Sequence, residues 1–156
     1  MERRPELRSQ HLFTIRLQVE APLQMIGQTP FGNRRIAKVM GGNFEGPRLK
    51  GTVLPGGGDW LLLRADNVLQ LDVRLVMRTD DEQLIYMTYK GYRHGPADVI
   101  DRLNRGEAVD PSSYYFRAAP FFETGSEKYS GINRVVTVST GHRLPEGPIY
   151  EVFEVL

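Results

Sequence analysis

Between Leu71 and Gly95 the chain reads LDVRLVMRTDDEQLIYMTYKGYRHG, two alternating runs joined by the polar turn Thr79-Asp80-Asp81-Glu82-Gln83. This is the pattern of a long antiparallel hairpin. Strand side chains alternate with a period of two, so Leu71, Val73, Leu75 and Met77 share one face and Asp72, Arg74, Val76 and Arg78 the other. In the second run Ile85, Met87, Tyr89 and Arg93 point one way, and Tyr86, Thr88, Lys90 and Tyr92 point the other. Neither face is wholly polar, and a hairpin with two mixed faces needs something packed against both. A closed or nearly closed β-barrel meets that need, with polar residues inside and an oligomer contact outside.

The rest of the chain reads almost entirely as strands. Gln10 to Ala21 alternates cleanly and stops at Pro22, and the Pro- and Gly-containing piece from Pro22 to Asn33 reads as a loop. Arg35 to Gly46 and Leu49 to Leu54 read as successive strands, with Gly41-Gly42 marking a bulge or a close backbone approach. Pro55-Gly56-Gly57-Gly58 reads as a flexible hairpin tip that places Asp59 and Trp60 at a barrel mouth. Ser113 to Thr124, Ile132 to Thr140 and Ile149 to Leu156 complete the set, with Pro120 marking an edge or a bulge. Pro96 to Gly106 is the one helix, short enough to serve as a plug or cover. The expected fold is therefore all-β, an antiparallel barrel of about eight strands with one short helix.

At 156 residues the chain has the length of one domain, read as a tail over 1–9 and a barrel over 10–156. A net charge of +1 lacks the concentrated basic field that marks nucleic-acid or anionic-membrane partners. There is no run of 18 apolar residues, no secretion-type apolar segment after the first arginines and no Cys, so a cytoplasmic location is expected.

The chemistry-bearing residues form a short inventory. The three histidines lie on separate segments without metal-ligand spacing, and there is neither a Cys nucleophile nor a Gly-x-Ser-x-Gly elbow. The Gly56–Gly58 run lacks the Lys-Ser/Thr pair of a phosphate loop. Carboxylates, guanidiniums, phenols and an amide remain: Glu45, Asp59, Asp72, Arg74, Arg93, Tyr115, Arg117, Glu123 and Asn133, with Trp60 as a cover. A carboxylate held in apolar surroundings has a raised pKa and can move protons near neutral pH; one paired with arginine is structural or anchors a ligand.

Several of these segments together resemble a known family. Gly42-Asn43-Phe44-Glu45-Gly46-Pro47-Arg48-Leu49-Lys50-Gly51, Pro55 to Trp60, Leu71-Asp72-Val73-Arg74, Tyr92-Arg93-His94-Gly95, Tyr114 to Arg117 with Pro120 and Phe122-Glu123, and Ile132-Asn133-Arg134 are similar, in matching order, to the family called domain of unknown function 3237. The resemblance implies a small antiparallel barrel similar to those of allene oxide cyclase and the dirigent proteins. It further implies a central cavity and self-association through outer faces as a dimer or trimer. A glycine is usual in that family's turn where this chain has Thr79 to Gln83.

Two functional expectations follow. In the first, the barrel is an isomerase, cyclase or lyase that needs no cofactor or metal and acts on a hydrophobic or aromatic metabolite. Asp72 or Glu123 is then the base, Arg74, Arg93 or Arg117 holds an anionic oxygen, Tyr115 and Asn133 donate hydrogen bonds, and Asp59 and Trp60 orient and cover the ligand. In the second, the same cavity belongs to a non-catalytic binder or carrier. A barrel packed solid with side chains would leave only a structural oligomer.

Overall fold

The central hairpin forms in the computed structural model, which describes residues 2–156. β6 (Leu69–Thr79) pairs antiparallel with β7 (Leu84–His94) without slippage from Leu69 opposite Arg93 to Arg78 opposite Leu84. Around it lie β1 (Ser9–Val19), β2 (Gln24–Thr29), β3 (Gly32–Glu45), β4 (Lys50–Val53), β5 (Gly57–Leu63), β8 (Tyr115–Glu123), β9 (Thr137–Leu144) and β10 (Gly147–Val155), with the helix α1 over Ala97–Asn104. β7 pairs with β8, β8 with β9, β9 with β10, β10 with β1, and β1 with β3. β3 returns to β6 through β4 and β5, which closes the barrel.

β4 and β5 run in the same direction between the same two neighbours, so they are one stave broken at Leu54-Pro55-Gly56. Counted this way the barrel has eight staves. The expected hairpin tip at Pro55 to Gly58 is corrected: Gly57 and Gly58 lie inside β5. Glycine serves close packing there, since a Cβ on Gly57 would stand 2.6 Å from the Arg74 carbonyl oxygen. β1 and β2 are likewise one interrupted stave along β3, so the segment expected as a loop after Pro22 contains a strand. Its Pro and Gly mark the interruption and a register slip between Met25 and Gly27 rather than the absence of pairing. Gly41 and Gly42 meet both readings, because the β1–β3 register shifts beside Gly41 and a Cβ on Gly42 would lie 2.1 Å from the Arg16 carbonyl oxygen.

Two ends of the barrel differ. At the end bearing the β6–β7 turn, Phe13, Phe44, Met77, Ile85, Met87 and Phe122 are buried and fill the interior. Phe13 meets Phe44 and Phe122 edge to face, with centroids 5.9 and 5.7 Å apart. The opposite end is hollow. There α1 lies over the opening, burying Val99 and Leu103. It stops in a Schellman arrangement, with Gly106 at φ 78°, its N–H on the Leu103 carbonyl and the Glu107 N–H on the Arg102 carbonyl.

Candidate functional site

The hollow end encloses a cavity of about 190 Å³. Its walls follow from the alternation: on β6, Leu71 and Val73 point inward with Leu75 and Met77, and on β7, Tyr89 and Arg93 point inward in phase with Ile85 and Met87. β3 contributes Arg35, Ala37 and Val39, β5 contributes Asp59 and Leu61, and β9 and β10 contribute Arg143 and Tyr150. Leu103 and Asn104 of α1 form the roof. Arg35, Leu69, Arg93 and Asn104 also line an adjoining space of about 540 Å³ between α1 and the β5–β6 turn, so the cavity has a mouth there.

Asp59 is the one carboxylate among the cavity-lining residues. It sits opposite Ala37 on β3 and Val73 on β6. The β5–β6 ladder opens between the Asp59–Val73 and Leu62–Gln70 pairs, and there the Asp59 carboxylate accepts the Asp72 backbone N–H at 3.0 Å. Burial raises its pKa to about 7, against the lowering influence of that hydrogen bond. The nearby Asp72 charge adds to the rise, while Arg93 and Arg143 oppose it. A carboxyl balanced near neutrality can both take and return a proton.

Burial also lowers the Arg93 pKa to about 10, and the neighbouring Arg143 charge adds to that effect. The guanidinium remains cationic at physiological pH and lies 5.9 Å from the centre of the Phe116 ring. Tyr89 and Tyr150 meet edge to face at 5.0 Å. Burial pushes both phenols upward, so both stay protonated and keep an O–H to donate. The Tyr114 hydroxyl accepts the Arg143 backbone N–H at 2.9 Å, which fixes β9 beside the mouth.

Of the residues singled out in the sequence, the structure brings Asp59 and Arg93 together in the cavity. The expectation that the others line the interior is corrected, because each occupies the outward phase of its strand or lies beyond the strands. Arg74, Tyr115, Arg117 and Glu123 are exposed, and β8 alternates without a break through Pro120. Pro120 is accommodated without a bulge: its carbonyl accepts the Thr137 hydroxyl at 2.7 Å, and the β8–β9 ladder, which pairs Arg117 and Ala118, does not extend to it. Tyr115 stacks on His94 at 4.9 Å, with the Arg117 guanidinium 5.5 Å from its ring centre. Asp72 and Trp60 meet on the outside, in a groove of about 250 Å³ with Lys90 and Tyr92. Asn133 lies at the packed end, where its amide brackets Thr124, accepting from the backbone N–H at 2.7 Å and donating to the carbonyl at 3.0 Å. Sequence reasoning passed over Arg35, Arg143, Tyr89 and Tyr150. Phase was the available signal: Arg35 alternates with Ala37 and Val39, and Tyr89 and Arg93 with Ile85 and Met87.

Among the described residues no group of three or more His, Asp and Glu is placed to hold a metal ion, and no helix is long and apolar enough to cross a membrane. A closed eight-stave barrel with one hollow end under a short helix defines the class: a small antiparallel β-barrel with an enclosed cavity. The chain belongs to the family described as protein of unknown function (DUF3237), which it matches over residues 7–155. A UPF0311 protein of Rhodopseudomonas palustris is 33% identical over 152 residues, 97% of this chain and 99% of that protein. The crystal structure of the Rhodopseudomonas palustris protein superposes with a TM-score of 0.94, covering 98% of this chain and all of that one. A β-barrel-like protein from Acinetobacter baumannii, 37% identical with full coverage of both chains, superposes at 0.86. An enzyme from Penicillium herquei, 24% identical and again fully covered, superposes at 0.75 and shares the fold.

Proposed function

We propose that this barrel binds a small hydrophobic or aromatic metabolite at its hollow end and acts on it as an isomerase, cyclase or lyase without a cofactor. Asp59 is the proton-transfer group in this reading. Arg93 stabilises negative charge that develops as the proton leaves, and Tyr89 and Tyr150 donate hydrogen bonds. The observation that carries the proposal is the placement of one carboxyl, raised to about 7, inside an apolar-walled cavity beside a buried guanidinium. Such an arrangement favours a functional role over a purely structural one, because a carboxyl and an arginine kept from water without pairing both cost stability. The enzyme from Penicillium herquei on the same fold accords with a catalytic role. Self-association belongs to the same proposal, with Phe121, Val136 and Val138 exposed on the outer face of the barrel as the apolar surface it would use.

The test begins with native mass spectrometry of protein purified from its own host, which reads the mass of a bound compound and the subunit count together. That compound is then incubated with the wild type and with Asp59→Asn. Conversion at unchanged or reduced mass by the wild type, lost on the order of a hundredfold in the variant, supports the proposal. A compound that both proteins bind and neither converts makes the barrel a carrier.

A further inference from the structure

The cavity holds more positive charge than it can balance from within. Arg35, Arg93 and Arg143 reach it from three different strands, while Asp59 is its only carboxylate among the lining residues. Among the described residues none of the three guanidiniums forms an ion pair, although seven ion pairs stud the rest of the protein. Arg35 Nε is buried and has no hydrogen-bond partner. The repulsion is direct, since Arg143 depresses the Arg93 pKa. Holding three partly buried guanidiniums beside one carboxyl is costly unless an anion joins them.

We propose that the natural ligand enters as an anion, a single-ring aromatic carboxylate, with its carboxylate held by Arg35, Arg93 and Arg143 and its ring turned inward toward Asp59. This rests on the reading of the hollow end as a small-molecule site and adds the charge, size and orientation of what it takes. Register sets the orientation. Arg35 lies one inward-facing position nearer the mouth than Ala37, a step of about 7 Å along the strand, and Arg93 lies two such positions nearer than Tyr89, about 13 Å. The space below them is walled by Val39, Leu71, Val73 and Phe116, which favour an apolar ring. Size follows from volume: cavities near 150 Å³ hold benzene, so about 190 Å³ accepts one ring and a substituent. A planar guanidinium grips a carboxylate through two parallel N–H bonds, geometry that a neutral amide cannot match.

Benzoate and its neutral counterpart benzamide test this on the wild-type protein, by calorimetric titration and ligand-observed NMR at pH 8. Benzoate should bind on the order of tenfold or more tightly than benzamide, and its affinity should fall by a similar factor in Arg35→Gln and in Arg143→Gln. Equal affinities for the two compounds, or no binding of benzoate, would overturn the proposal, and neither result depends on a variant folding. Asp59→Asn separates this inference from the catalytic reading: benzoate should bind that variant more tightly, because a like charge has gone, whether or not Asp59 transfers protons. Weaker benzoate binding there counts against the inward orientation.

Discussion

The Asp72 backbone N–H donates to the Asp59 carboxylate across the opening in the β5–β6 ladder. A residue whose side chain faces the outer groove thereby positions the one that faces the cavity. The two carboxylates still feel each other, since the Asp72 charge helps to raise the Asp59 pKa.

Asp72→Asn keeps that N–H and removes the charge. The titration midpoint of Asp59 should therefore move down, toward the ordinary carboxylate range, in a carbon-detected NMR titration. Activity on the natural substrate should persist, with its acid limb shifted the same way. Loss of activity with no movement of the Asp59 midpoint would instead make Asp72 the proton acceptor.

Asp59 also gives the fold a pH dependence of unusual sign. Its folded pKa, about 7, lies above the unfolded value near 3.8, so between the two the folded state binds more protons and stability falls as pH rises. Three pKa units correspond to about 4 kcal/mol as an upper bound, reduced because the residue is only half-buried. Urea melts from pH 4 to pH 8 should show the wild type losing on the order of 2 kcal/mol relative to Asp59→Asn, with the variant the more stable of the two at the alkaline end. Parallel curves for the two proteins would contradict the elevated carboxyl.

Glu82 occupies a left-handed backbone conformation, φ 64°, in the β6–β7 turn, held by its N–H on the Thr79 carbonyl at 2.9 Å. Side chains with a Cβ pay for that geometry, and glycine does not. Glu82→Gly should raise stability by about 1 kcal/mol, read from denaturant midpoints, and leave ligand binding unchanged because the turn lies at the packed end.

The sequence announced the barrel through its alternation. Leu71 to Met77 and Ile85 to Tyr89 are apolar on one phase because that phase fills the interior, and strand 9–19 and the helix under Pro96 were equally plain. The site was harder to read. Asp72, Arg74, Arg117 and Glu123 attracted notice as charges, yet each stands out of phase with its apolar neighbours and faces outward. Arg93 and Asp59 are polar residues on the inward phase, which is the informative pattern. Arg143 was hidden further, because the inward phase of β9 is Thr137, Ser139 and Gly141, with no large apolar residue to mark it. The β2 strand was obscured by Pro22, Gly27 and Pro30, since local turn chemistry says nothing about pairing to a distant strand.

The packed Phe13–Phe44–Phe122 end and the hollow Asp59 end divide the labour of the molecule along its axis. Cohesion resides in one half and, under the proposed function, selectivity in the other. Wall residues around the opening can accordingly change while the aromatic plug keeps stave number and register fixed, so under the proposed function the preferred compound could shift on an unchanged chassis.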